Sequence, residues 1–217
     1  MKKIRSIFAI AAGISLMGVA IAQAGDITES RDLSAFDKIT IDNMGVGLDV
    51  RVGENFSVTL KGGEKWSKKV FTTVDGDTLI IERKDKSNTA RQISSDNRVI
   101  VTMPEFSALT VNGAVDANLS GIEGQKIDFK INGASNIKVS GKCNRLDITL
   151  NGASNFEGRK LKCEDVTVQI NGVGNVEAFG AQSADLTING MGNIDFYGNP
   201  KEVDKDKGWF SNITMHK

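Results

Sequence analysis

The chain has 217 residues, with 27 basic and 27 acidic side chains, 23 glycines and two prolines. A neutral balance offers no basic field for nucleic acid or anionic lipid, so those partners are not expected. Abundant glycine without a collagen period points to many turns, and the length suits one domain or a small pair.

Residues 1–24 read as a signal peptide. Lys2, Lys3 and Arg5 form a basic start, Ile7 to Ile21 is apolar or small, and Ala22-Gln23-Ala24 has small residues at both recognition positions of a signal peptidase. The alternative is a membrane anchor. The apolar run is short for a span and leads directly into the cleavage pattern, so cleavage after Ala24 is expected, leaving no membrane span. No cysteine follows the run to carry a lipid. The expected location is outside the inner membrane, in the periplasm or at the cell surface. Cleavage leaves 24 basic against 27 acidic side chains, an ordinary balance for a soluble protein.

After a short N-terminal segment, 25–35, residues 36–103 alternate loosely. "FDKITIDN", "GLDVRVGE", "FSVTLKGG", "DTLIIERK" and "RVIVTMP" read as strands between glycine-rich or charged turns. "GEKWSKKV", around Trp66, reads as a short helical or irregular excursion, and Lys84 to Asn97 as an exposed polar loop. "MGVG", Met44 to Gly47, resembles "NGVG" at Asn171 to Gly174, which marks this region as irregular early coils.

From 104 to 200 the chain repeats itself. "VNGAVDANLSG" from Val111, "INGASNIKVSG" from Ile131, "LNGASNFEG" from Leu150, "INGVGNVEAFG" from Ile170 and "INGMGNIDFYG" from Ile188 are five copies of one unit. Their Asn-Gly pairs begin at Asn112, Asn132, Asn151, Asn171 and Asn189, in steps of 20, 19, 20 and 18. Branched apolar residues stand one and three places before each Asn, with polar residues between, which is the period of a strand with one buried face. Four places after it comes Asp116, Asn136, Asn155, Asn175 or Asn193, then a second short alternating strand. Gly121, Gly141, Gly180 and Gly198 close four of the copies.

Such a unit cannot bury its apolar face alone, but a stack of them does. The predicted fold is all-β: a parallel β-helix, or solenoid, of about 20 residues per coil. Corner residues then stack about 4.8 Å apart, and both Asn columns form ladders of amide hydrogen bonds. Asn and Gly are expected at these corners because both tolerate left-handed backbone.

Cys143 and Cys163 each lie eight residues before their Asn, so they fall at equivalent places on adjacent coils. That spacing is within the range of a disulfide, which export would favour. The alternative is a pair of buried thiols where other copies have Pro104, Gly124 and Ala181. At the other end, 201–217 departs from the repeat and reads as a cap or tail, with Trp209 and Phe210 covering the last coil.

The order of these motifs, from "FDKITID" and "LDVRVGENFSVTLKG" through "VIVTMPEFSALTVNGA" to the repeated "INGASN" and "INGVGN", resembles the head GIN domain family over about 36–200. Those proteins are described as auto-transporter adhesin heads. The resemblance implies a right-handed β-helix and an exported bacterial protein, and it brings no catalytic residue. No β-barrel region follows residue 200, so self-export is not expected.

Three functions are weighed. An adhesin-like module would bind a glycan or an envelope protein on its flat outer faces. A structural envelope component would touch itself or its neighbours through the solenoid ends. A polysaccharide-active enzyme would need an outward acidic stripe, for which Glu157, Glu177 and Asp195 stand in register and are also the weak candidates for a divalent cation. The solvated face that any soluble solenoid needs explains the stripe more simply. The sole histidine, His216, is placed at a frayed terminus, which leaves no Ser-His-Asp set. No nucleotide loop, zinc helix or calcium loop is present. The expectation is a non-enzyme without a cofactor. No sugar-stacking platform can be placed from the sequence; Tyr197, next to inward Phe196, is the best single candidate, and a coil-edge tyrosine is the simpler reading of it.

Overall fold

The computed structural model describes residues 26–83 and 96–217. The expected signal peptide with its expected cleavage after Ala24, and most of the expected 84–97 loop, lie outside the described residues. Among the described residues thirteen strands form one continuous sheet: β1 Asp26–Arg31, β2 Lys38–Val52, β3 Ser57–Gly63, β4 Val70–Asp75, β5 Thr78–Arg83, β6 Arg98–Met103, β7 Ala108–Ile131, β8 Ala134–Leu150, β9 Ala153–Ile170, β10 Val173–Ile188, β11 Met191–Tyr197, β12 Glu202–Lys207 and β13 Ser211–His216. A helical turn, α1 Glu64–Ser67, lies between β3 and β4 and buries Trp66. From β7 onward the pairing is parallel, and the whole is a β-solenoid of about five turns with coils of about 20 residues.

The register follows the period-two pattern. Ile127, Phe129 and Ile131 lie beside Leu146, Ile148 and Leu150, then Val166, Val168 and Ile170, then Ala184, Leu186 and Ile188. All are buried. A one-residue slip would turn every one of them to solvent, so the apolar columns lock the coils together. Phe129 and Phe156 meet edge to face at 5.0 Å between ring centres, filling the bore where two strand faces converge.

Glycine is required at the Asn-Gly corners for a reason other than left-handed backbone. Positive φ occurs at three of the four closing glycines, Gly121 at 76°, Gly141 at 144° and Gly198 at 103°, and at none of Gly113, Gly133, Gly152, Gly172 and Gly190. A Cβ on Gly133 would instead overlap the carbonyl oxygen of Gly113, and one on Gly152 that of Gly133. The same clash recurs at Gly172 and Gly190. Stacked corner backbones approach too closely for any side chain.

The N-terminal region is not a run of coils in chain order. β2 lies between β7 on one edge and β5 with β6 on the other, parallel to all three. Strands β5 and β6 therefore stack outside β2 although they follow it in sequence, and the chain then returns past β2 to begin β7. Antiparallel strands close this end: β4 on β5, β3 on β6 and β1 on β3. Alternation marks each strand as half-buried but carries no information about which neighbour it pairs with.

The register of the first coil also differs from the "MGVG" alignment. Asp42, not Met44, stands opposite Asn112, and Gly45 stands opposite Ala114. One extra residue is taken up at Asn43, whose φ is 53°, while Met44 turns into the core.

The C-terminal end is corrected too. Trp209 is fully exposed and Phe210 is 83% exposed, so neither covers the last coil. Strand β12 pairs with β10, and β13 pairs with β11, both in parallel. Ile213 and Met215 continue the inward columns of Ile194 and Phe196, which is why the segment joins the solenoid. Trp209 and Phe210 occupy the corner next to it, where the preceding coil places Gly190 and the exposed Met191.

Candidate functional site

Two rows of asparagine run along the solenoid corner. In the first, Asn189 donates to Asn171, Asn171 to Asn151, Asn151 to Asn132 and Asn132 to Asn112, at 2.7 to 2.9 Å between Nδ2 and Oδ1. Asn112 donates in turn to the carboxylate of Asp42 at 2.5 Å. In the second, Asn193 donates to Asn175, Asn175 to Asn155 and Asn155 to Asn136, at 2.9 to 3.1 Å. All these bonds point toward the N-terminal end. An aspartate has no donor, so it fits only at the accepting end of such a row. Asp42 is that terminus in the first, and Asp116 stands opposite Asn136 at the foot of the second.

Asp116 is held by Arg98. One guanidinium nitrogen donates to Asp49 and the other to Asp116, each at 3.2 Å. Gly47 makes room, since a Cβ there would meet the Arg98 side chain at 2.8 Å. Asp42 and this arginine fork were missed in the sequence. Aligning "ITID" with "LTVN" on the inward pair, rather than on glycine, finds Asp42.

Buried serines beside the corner were missed as well. Ser154 Oγ donates to the Gly133 carbonyl and accepts from the Ser135 backbone N–H, both at 3.1 Å. Ser211 repeats the first contact with Gly190 at 3.0 Å. Only the shared position in the repeat hints at the role.

Glu157, Glu177 and Asp195 do stand in register on adjacent coils. The stripe is not bare, however. Lys138 Nζ lies 3.2 Å from Glu157, and His216 Nε2 lies 2.7 Å from Asp195. Among the described residues no group of three His, Cys, Asp or Glu side chains is arranged to hold a metal. His216 is a strand residue rather than a frayed one: residues 211–216 pair along β11, which fixes the imidazole over its neighbours. No serine or threonine hydroxyl bonds to it among the described residues, and the nearby Thr214 accepts from Asn212 at 2.8 Å.

Tyr197 is not an open platform. His216 stacks on its ring at 4.6 Å, and the Arg159 guanidinium lies 4.1 Å from the ring centre. Both groups pack against the ring, which leaves Tyr197 half-buried. The ring supports its neighbours instead.

On the β8–β9 ladder, Cys143 and Cys163 form a disulfide with a Cα separation of 4.5 Å. Cys163 stands opposite Gly180 rather than Ala181, because the register shifts just beyond it. A shallow groove of about 790 Å³ passes over the bond, with Lys126, Lys142 and Lys162 among its lining residues. Lys162 Nζ lies 3.7 Å from the centre of the Phe179 ring. Burial and then the Arg159 charge hold its pKa below the usual lysine value. Among the outward carboxylates, Asp128 has its pKa raised, first by burial and then by the Asp147 carboxylate on the next coil. Asp147 is itself clasped by Lys126 at 3.1 Å and Arg145 at 3.0 Å.

Residues 35–200 match the family described as "Putative auto-transporter adhesin, head GIN domain". The chain belongs to this family. No curated protein matches it. Among solved structures, a protein of Bacteroides fragilis described as a "putative adhesin" is similar, with 16% identity and a TM-score of 0.68, over 88% of this chain and 97% of that one. A second "putative adhesin", from Parabacteroides distasonis, has 13% identity and a TM-score of 0.50, over 87% and 97%. At these identities the likeness is one of fold. In this chain the repeated Asn-Gly corner forms the rows, its asparagines bonding along them and its glycines allowing the close stacking. Among the described residues no helix is long and apolar enough to cross a membrane, and the disulfide fits an oxidising, extracytoplasmic location.

Proposed function

We propose that this head GIN protein is an exported, non-catalytic binding module of adhesin type, acting in the periplasm or at the cell surface on a glycan or an envelope protein. The observation that carries the reading is family membership across nearly the whole solenoid, in a family described by adhesion. The chemistry of the outer faces supports it. The acidic stripe that hydrolysis would need is tied at both ends, to Lys138 and to His216. A flat, hydrogen-bonded solenoid wall instead offers a long rigid surface whose geometry does not change on contact, which limits the entropic cost of binding.

The test is binding of the purified protein to a broad array of bacterial and host glycans, in the presence of calcium, alongside capture of partners from an envelope extract. Saturable binding to one glycan class, or to one envelope protein, supports the module. Silence in both overturns it. The non-catalytic part is tested separately with Glu157→Gln and Glu177→Gln. If any bound polysaccharide is cleaved by the parent and not by these variants, the protein is an enzyme.

A further inference from the structure

The exposed apolar side chains are not scattered. Val173 is 50% exposed and Met191 is 52% exposed, and the two are register partners on adjacent coils. Gly192 pairs with Ser211, so Phe210 follows Met191 in the same column, with Trp209 beside it. In earlier coils that column holds Ala114, Ala134 and Ala153. An apolar ridge therefore grows along the asparagine corner toward the C-terminal end and finishes in two exposed aromatic rings.

The rows that flank this ridge end beside the same rings. Gly208 takes the corner place above Asn189, since its N–H donates to the Ile188 carbonyl. Asn212 stands above Asn193 but turns its amide to Thr214. Among the described residues, Asn189 Oδ1 and Asn193 Oδ1 thus accept no hydrogen bond, whereas the oxygens below them in the rows do. The top of each row is an open acceptor at the end of an aligned series of amide dipoles.

We propose that Val173, Met191, Trp209 and Phe210, with the open carbonyls of Asn189 and Asn193, form a subsite for a neutral oligosaccharide. A sugar ring presents an apolar C–H face to an aromatic ring and hydroxyl donors at its edge. This ridge supplies the complement of both, with no charge between the two asparagine rows. A polar-rimmed apolar patch of this kind marks a binding site on an otherwise polar surface.

Other occupants fit less well. Lys201, Lys205 and Lys207 are balanced by Glu202, Asp204 and Asp206, so an anionic lipid surface finds no basic field. Pairing of β12 with its own copy is opposed by charge. Opposite residues of antiparallel strands point to one face, so a two-fold register sets Lys205 against Lys205, or Asp204 against Asp204.

The subsite rests on the binding-module reading, and one experiment separates the two. The chain has two tryptophans, of which Trp66 is buried and Trp209 is exposed. Emission is followed as the purified protein is titrated with tetrasaccharides of N-acetylglucosamine, of mannose and of glucose. The expected result is a saturable blue shift with at least one of them. Trp209→Ala should weaken that sugar on the order of tenfold or more by calorimetry, and Phe210→Ala should weaken it as well. Unchanged far-ultraviolet dichroism shows that the variants fold. If no sugar at millimolar concentration shifts the emission, and Trp209→Ala keeps whatever glycan binding the array detects, the site is elsewhere and the module survives. If the array is also blank, the glycan reading falls with the site. A shift that follows protein concentration, or that appears with phosphatidylcholine vesicles and not with sugars, assigns the ridge to a second copy or a lipid surface and overturns the proposal.

Discussion

At the scale of single residues, the corner glycine and the outward aspartate make opposite predictions. Gly152 lies so close over Gly133 that a methyl group would overlap its carbonyl oxygen, and backbone has no rotamer with which to yield. Gly152→Ala is expected to destabilise the fold by about 2–3 kcal/mol in urea denaturation, while Asn151→Ala costs roughly 1 kcal/mol through its lost amide bonds. Equal losses for the two would refute the close-approach account. Asp128 works the other way. Its folded pKa lies above the unfolded value, so the folded state binds the proton more tightly and the ionised carboxylate opposes folding. That penalty is fully present at neutral pH and disappears as pH falls through the folded pKa to below the unfolded one. Asp128→Asn should therefore stabilise at pH 7, by roughly 0.5 kcal/mol after screening of a part-exposed group, and should lose the advantage below about pH 4. Thermal melts of both proteins across that range check the sign.

At the scale of elements, the disulfide and the last strand act on neighbouring coils in different ways. Cys143 and Cys163 close a loop with a sequence separation of 20 and stand opposite each other within the parallel β8–β9 ladder. Chain-entropy arguments give about 3 kcal/mol for such a loop. The Cys143→Ser, Cys163→Ser double variant should unfold at correspondingly lower urea, and the parent should match it once reduced. Strand β12 carries Lys205 and Lys207 in the columns filled by Leu186 and Ile188 one coil earlier. Charge at core-facing positions discourages an open edge from pairing with other chains. Replacing both lysines with Ile completes the apolar columns and removes that protection. Concentration-dependent association in sedimentation experiments is the expected outcome, and a variant as monodisperse as its parent would contradict it.

At the scale of the whole molecule, the solenoid reads as a rod with a rigid repeating wall and two unlike ends. Antiparallel strands seal the N-terminal end, whereas a short charged strand and two bare aromatic rings finish the other. Trp209→Ala leaves the rod intact but is expected to remove its recognition tip. Much of the rod was legible beforehand. Period-two alternation beside each Asn-Gly pair marks inward Ile131, Leu150, Ile170 and Ile188, and a constant step of about 20 residues fixes how the units stack, because each strand can bury its face only on its own copy. The cysteine positions were legible for the same reason. What the alternation leaves undetermined is which edge a strand takes, and so the order of β5, β6, β2 and β7 came only from tertiary structure. The same holds for the roles of the aromatic residues: Tyr197 and Trp209 are both large and amphipathic, and composition cannot distinguish them. Whether such a ring is covered or left bare depends on whether neighbouring coils supply a cation and a ring to pack on it, as Arg159 and His216 do for Tyr197. Local sequence determined the repeat because the repeat is held by identical neighbours; the ends, where neighbours differ, were decided by packing between residues distant in the chain.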